Sequence, residues 1–223
     1  MRPRLLDLFC GAGGAARGYQ LAAFYVVGVD TKPQPRYAGD EFHLGDALTW
    51  PLEGYDAIHA SPPCQRYSSA GRASSSRYGY SYPDLYLDVR SRLAESGCPW
   101  VIENVTQAPA AHGVVLCGSM FGLDIERHRC FESSFLILSP FICRHPTHSV
   151  ITVTGNTPQR WQRGERVGVS RSERNEGMGI DWMVVEELTE AVPPAYTEWI
   201  GARLLEALGV REEAVAGHGG MPR

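Results

Sequence analysis

Long hydrophobic runs are missing from this 223-residue chain. No stretch approaches the ~20 apolar residues that span a bilayer, which excludes an ordinary membrane helix. The first acid, Asp7, comes after only two leucines, too early for a secretory core, so a cytoplasmic protein is expected. Cysteine is scarce as well. Six residues (10, 64, 98, 117, 130, 143), mostly in apolar stretches, exclude a disulfide scaffold and point to a reduced compartment. Lysine is nearly absent, since Lys32 is the only one among 21 basic residues. Positive charge is not in excess either: the formal charge is −4, so the chain carries no global nucleic-acid signature. Internal repeats and low-complexity tracts are also lacking. What is present, 43% hydrophobic and 21% charged residues, is ordinary globular composition and excludes wholesale disorder.

Short apolar runs alternate with helical stretches in the first half. Arg4–Phe9, Tyr25–Asp30, Tyr55–Ala60, Pro99–Glu103, Val114–Cys117 and Cys130–Phe135 read as strands. Ala15–Phe24 and Leu85–Ser96 read as helices. Such alternation predicts an α/β fold with a mostly parallel sheet covered on both faces. Beyond about Ser139 the pattern lapses, and only Val150–Thr154 looks like a strand before helical spacing returns at Met183–Ala191 and Tyr196–Leu208. The expected layout is a catalytic domain over 1–140, a small irregular insert over 141–177, returning helices over 178–210 and a frayed tail over 211–223.

Charge is unevenly placed. Arg66–Pro83 holds three arginines (66, 72, 77) and no acid; Arg144–Arg174 holds six (144, 160, 163, 166, 171, 174) against Glu165 and Glu173. Acids gather at Asp181, Glu186, Glu187 and Glu190. Two solvated loops would look the same, but both segments flank the motifs below, and a basic cleft within an acidic protein is expected.

Three polar features fall at three strand ends. Asp7-Leu-Phe-Cys-Gly-Ala-Gly-Gly14 turns a strand into a helix, where open α/β sheets bind nucleotides, and Asp30 ends the next strand roughly 20 residues on, where an acid accepts ribose hydroxyls. The spacing is not that of a dinucleotide loop. In Ser61-Pro-Pro-Cys64-Gln-Arg66 two prolines stiffen the turn that presents a thiol, a candidate nucleophile rather than a small buried hydrophobe. The stretch from Gln65 to Ser76 reads as a lid. Val101-Ile-Glu103-Asn104-Val105 brings a carboxyl to the same rim, and the convergence of the three is the signal.

Together, Asp7–Gly14, Pro63-Cys64-Gln65 and Glu103-Asn104-Val105 resemble three motifs of the DNA (cytosine-5) methyltransferases, in the family's order. Val29-Asp30, Gly45-Asp46, Arg127-His-Arg129 and Ala191–Glu198 agree, and Leu116–Gly122 with Gly179–Met183 is similar to the short phage-type members. The resemblance spans nearly the whole chain apart from Phe141–Gly177 and the tail. It departs at Ile125-Glu126, where a glutamine usually precedes the arginines, at Thr31, where a bulky apolar residue often packs on adenine, and at Pro194-Ala195-Tyr196.

The resemblance implies a Rossmann-like fold and S-adenosylmethionine as methyl donor, with S-adenosylhomocysteine as product. Asp7, Phe9, the Cys10, Gly11, Ala12, Gly13 and Gly14 backbone, Asp30, Thr31, Asp46 and Ala47 would surround the cofactor. Cys64 would attack cytosine C6 from a turn built by Pro62 and Pro63, and Glu103, beside Asn104, would protonate N3. The Pro62 carbonyl would accept from N4, and Arg127 and Arg129 would hold O2. The target base would flip out of double-stranded DNA, with Gln65, Arg66, Arg72, Arg77, Arg144, Arg160, Arg163 and Arg166 on phosphates or in target reading. A monomer is expected, and a cognate restriction nuclease is not readable from the chain. No step needs a metal; Cys143-x-His145-x-x-His148 with Cys130 upstream looks zinc-like but fits no standard finger spacing. Methylation of RNA cytosine, a catalytically silent DNA- or cofactor-binding protein and a thiol oxidoreductase stay open beside this reading.

Overall fold

The computed structural model describes residues 1–68, 76–79, 82–145, 151, 153, 159–162 and 165–210, so the tail over 211–223 lies outside the described residues. Runs such as Tyr25–Asp30 (YVVGVD) and Ala57–Ala60 (AIHA) are too apolar for a one-sided sheet, and they lie buried on both faces. The sheet comprises β1 (Arg4–Leu8), β2 (Tyr25–Asp30), β3 (Glu41–Leu44), β4 (Ala57–Ala60), β5 (Trp100–Asn104), β6 (Val114–Leu116) and β7 (Arg129–Ser133). Its order is β3-β2-β1-β4-β5-β7-β6. The first five strands are parallel, while β7 runs antiparallel to β5 and β6. The expected α/β class and mostly parallel sheet are what the chain adopts.

Alternation along the strands sorts side chains into two cores. Leu5, Val26, Ala57 and Val101 face α1 (Gly14–Leu21), whereas Leu6, Leu8, Ile58, Ala60 and Ile102 face α2 (Tyr86–Glu95) through Tyr86, Val89 and Leu93. The carboxylate of Glu132, almost wholly buried, is held by the Tyr86 hydroxyl at 2.7 Å and Arg90 Nε at 2.6 Å, which fixes α2 against β7.

Three further helices follow: α3 (Arg171–Met178), α4 (Val185–Glu190) and α5 (Pro194–Ala207). Pro194 opens α5 at a position where a missing N–H costs nothing. This helix returns to lie on α1. Gly18 permits the approach, because a Cβ there would collide with the Pro194 carbonyl and the Thr197 hydroxyl. Thr197 Oγ1 donates to the Ala15 carbonyl at 2.8 Å across the same contact.

Three features differ from the sequence reading. The half-polar edge strand β3 has no alternation strong enough to mark it. Within the insert, α3 is capped by a reciprocal box in which the Ser170 hydroxyl accepts from Glu173 N–H and the Glu173 carboxylate accepts from Ser170 N–H, and β8 (Gln159–Gln162) pairs with β9 (Glu165–Gly168). The segment is therefore not irregular throughout. Ile151 and Val153 join Ile125, Met178, Ile180 and Leu188 in a third small core beside Ala12; Ile151 forms a bridge with Ile125, and positions 150, 152 and 154 of the expected strand lie outside the described residues. The helix expected from Met183 begins at Val185, because Glu187 accepts from Val184 N–H at 3.0 Å and caps it there.

Candidate active site

Strand order reverses between β1 and β4: β2 and β3 extend from one side of β1, and β4 and β5 from the other. Crevices that bind ligands in open α/β sheets lie outside the carboxyl ends of strands at such a point. The three sequence motifs end there side by side. Ser61 N–H donates to the Leu8 carbonyl at 3.1 Å, joining the proline turn to the glycine turn, and β5 runs next to β4.

The turn after β1 is sharp. Phe9, Gly11 and Gly13 have φ of 59°, 49° and 82°; Gly13 also has backbone and Tyr37 atoms where a Cβ would stand, so glycine is needed on both counts. Gly11 N–H donates to one Asp30 oxygen at 3.0 Å and Lys32 N–H to the other at 2.9 Å, which aims that carboxylate at the turn and leaves further lone pairs for a ligand. Asp7 is fully buried and neither of its oxygens has a partner. Burial, helped by the nearby Asp30 charge, pushes its carboxyl well above the usual range. Phe9, Leu48 and Trp50 each pack, partly buried, against the core cluster that includes Ala47. An orphaned acid, open space over Gly11 and an apolar wall at Phe9 suit a ligand with a cationic end and a flat aromatic end. Other expected cofactor residues are less directly placed. Thr31 is exposed, Asp46 folds back to accept from Leu48 N–H at 2.9 Å, and the carbonyl of Ala12 accepts from Trp182 Nε1 at 3.0 Å.

Across the rim stands a charged cluster. Glu103 is buried and lies 2.9 Å from Arg129 Nε. Burial raises its carboxyl above the ordinary range, although Arg129, Arg127 and a hydrogen bond from Ser61 pull the other way. Cys64 shares this field: burial raises its thiol, Arg129 lowers it, and Glu103 and Glu190 raise it. A proton on Glu103 would remove one obstacle to the thiolate, so the two groups are electrostatically linked. Arg127 is 3% exposed, and burial beside Arg129 brings its guanidinium down to about 9. Its terminal NH2 donates to the Thr189 carbonyl at 2.8 Å, while Nε and the other terminal nitrogen have no partner. Two buried donors left over beside a thiol and a carboxyl suit a carbonyl oxygen of a bound ligand.

Asn104 spends both ends of its amide on the neighbouring backbone. Its Nδ2 donates to the Pro62 carbonyl at 2.9 Å and its Oδ1 accepts from Val105 N–H at 2.9 Å, clamping the Pro62-Pro63-Cys64 turn to the end of β5. The Pro62 carbonyl, expected to accept from the base N4, already accepts one hydrogen bond and keeps its second lone pair.

Several residues escaped the sequence reading. His59 Nε2 lies 3.0 Å from Ser61 Oγ and Nδ1 lies 3.0 Å from the Tyr19 hydroxyl, and Ser61 in turn faces Glu103. His59 is fully buried and held near 3, so the imidazole is neutral. The clue was a lone histidine inside AIHA, a strand otherwise apolar. Tyr196, at the start of α5, donates its hydroxyl to the Arg127 carbonyl at 2.7 Å and ties the arginine segment to the C-terminal helix.

The outer basic set is only partly gathered. Gln65 and Arg77 are exposed, with the Arg77 guanidinium 5.4 Å above the Tyr78 ring. Arg66 is not a free cation: Asp84, just past the acid-free stretch, pairs with it at 3.2 Å. Arg144 is exposed. Arg72 and Arg163 lie outside the described residues, as do the side chains of Arg160 on β8 and Arg166 on β9. Among the described residues no helix is long and apolar enough to cross a membrane.

No protein-family model matches the chain, and no curated protein is significantly similar to it. Solved structures do align over 93% of it. A candidate DNA modification methyltransferase encoded within a prophage (E. coli) superposes with a TM-score of 0.62 at 14% identity, covering 99% of that chain. The Dnmt2 methyltransferase of S. pombe gives 0.59 at 16% identity over 99% of its length. A DNMT2 mutant from Spodoptera frugiperda gives 0.59 at 12% identity over all of its length. At such identities the likeness is one of fold, and it extends across the whole of each structure.

Proposed function

We propose that this chain transfers a methyl group from S-adenosylmethionine to C5 of a cytosine flipped out of double-stranded DNA. One observation carries the reading: a thiol, a buried carboxyl whose pKa is raised and two unpaired guanidinium donors share one buried field next to a glycine turn that follows an orphaned acid. The motif resemblance and the fold of the aligned methyltransferases support it.

Cytosine C5 is a poor nucleophile until C6 is attacked. Cys64 supplies the attack: its Sγ bonds to C6, the ring electrons move toward N3, and Glu103 delivers the proton that N3 takes up. The double bond then ends at C5, which becomes enamine-like and able to accept a methyl group. Arg127 offers Nε and its free terminal nitrogen to O2, while Arg129 holds Glu103 and favours the thiolate. Once C5 carries the methyl group, its proton passes to a water, Sγ leaves C6 and the N3 proton returns to Glu103, which restores the ring and both side chains. Asn104 keeps the cysteine turn in register, and the Tyr19–His59–Ser61 wire orients Glu103 from behind.

S-adenosylmethionine, when bound, supplies an electrophilic sulfonium methyl. For it the chain offers the Asp7 carboxyl to the cationic end, the Gly11–Gly14 backbone to the methionine portion, Asp30 to the ribose and the Phe9 ring to adenine. A stacked base cannot enter a buried rim of this kind, hence base flipping.

Tritium transfer from labelled S-adenosylmethionine distinguishes the substrates. Label is expected in duplex DNA, in acid-stable 5-methylcytosine. Label appearing in transfer RNA alone would move the same chemistry to RNA and end the DNA reading.

A further inference from the structure

A second cluster of reactive side chains lies apart from the rim, behind the arginine segment. Cys117 follows β6, His128 separates Arg127 from Arg129, and Cys143 and His145 sit in the extended chain that opens the insert. Their ligand atoms all lie within 4.8 Å of one another. His128 Nε2 is 3.3 Å from His145 Nε2 and 3.4 Å from Cys143 Sγ, and Cys117 Sγ is 3.8 Å from His145 Nε2. Cys143 Sγ and His145 Nε2, two residues apart, are 2.7 Å apart. A tetrahedral zinc with Zn–S near ~2.3 Å and Zn–N near ~2.0 Å sets S···N edges of ~3.5 Å and N···N edges of ~3.3 Å. Three of these four separations match those edges, and the C-x-H pair needs to open by less than an ångström.

The geometry points to a structural zinc site of two thiolates and two imidazoles, Cys117, His128, Cys143 and His145, that fastens the start of the insert to the back of the arginine segment. No carboxylate belongs to the set, and a soft S2N2 donor set selects zinc over magnesium or calcium. Binding releases two thiol protons to solvent, and two thiolates neutralise the ion, which suits a site where Cys117 is fully buried. Outer support is in place: the Ser119 hydroxyl donates to Cys143 Sγ at 3.6 Å and accepts from Arg144 N–H at 3.2 Å. A cleft lined by Ser119, Asp124, Arg144 and His145 gives an ion a way in.

The zinc-like set read from the sequence is thereby changed. Cys143 and His145 stay, but Cys130 is replaced by Cys117 and His128; Cys130 Sγ instead sits where a side chain on Gly113 would go. His148 lies outside the described residues. The expectation that the chain uses no metal is revised for the scaffold. Phe141 and Ile142 beside the cluster are mostly exposed, so hydrophobic burial does little to hold this segment and a metal staple has a task there. The site does not depend on the methylation reading.

The test is metal content, not activity. Protein purified without chelator or metal-affinity resin should hold about one zinc per chain by plasma mass spectrometry. Cys143→Ala and His145→Ala should fall to a tenth of that or less, while Cys130→Ala and Cys64→Ala keep it. Cobalt added to the metal-stripped native chain should give the intense visible bands of tetrahedral coordination with thiolate charge transfer; this readout stands even if a variant fails to fold. Native protein with less than about a tenth of an equivalent of zinc and only octahedral cobalt would overturn the proposal. Zinc retained by the Cys143 and His145 variants, or a Cys117–Cys143 disulfide in its place, would overturn it as well.

Discussion

Replacing Cys64 by serine is expected to stop methyl transfer while S-adenosylhomocysteine still binds with nearly native affinity. The thiol is half-buried, and burial opposes its ionisation; Arg129 is the positive neighbour that opposes this effect. A serine hydroxyl in that field is far harder to ionise and is a weaker nucleophile toward C6, so single-turnover rates should fall by at least ~10³-fold. The glycine turn and Asp30 rest on β1 and β2 and do not use the cysteine side chain, which is why cofactor affinity by calorimetry should move less than about twofold. Activity within about tenfold of native would mean that another group attacks the ring.

Glu103→Gln should show a different signature. The amide fills the same space and keeps a donor, but it cannot deliver a proton to N3. Turnover is therefore expected to fall by ~10²–10⁴, the usual range for a lost general acid, with DNA affinity changed far less. The pH profile supplies an independent check. Burial raises the Glu103 pKa, so its protonated, donating form persists above the ordinary carboxylate range and is lost as pH rises through that raised value. Native enzyme should show a decline on that side, and the glutamine variant should lack it. Equal losses in turnover and in DNA affinity would make Glu103 a binding residue rather than a proton donor.

Much of this site could be read from the chain because its parts are local. Asp7–Gly14, Pro62–Cys64 and Glu103–Asn104 are each continuous and each ends a strand, and parallel strands put their carboxyl ends on one rim. What stayed hidden depends on register and on long-range return. Tyr19, His59 and Ser61 form a wire only because helix α1 lies over β4, and Tyr196 reaches Arg127 only because α5 comes back across 69 residues. Arg66 read as a free cation because its partner, Asp84, lies beyond the lid. The cysteine–histidine cluster was obscured for the same reason: Cys117 and His128 stand 26 and 15 residues before Cys143, too far for a spacing rule to join them. In the insert, the high polarity of α3 concealed its helical character, although Ser170-x-x-Glu173 carried the capping signal.

The whole mechanism turns on a covalent bond between Cys64 Sγ and C6 of a cytosine. Duplex DNA bearing 5-fluorocytosine at the target tests it, because fluorine replaces the proton that must leave and blocks release of the sulfur. Native protein with saturating S-adenosylmethionine should form an adduct that survives denaturing electrophoresis, with peptide mapping placing the bond on Cys64. No adduct under those conditions, or a bond at any other residue, would contradict the account.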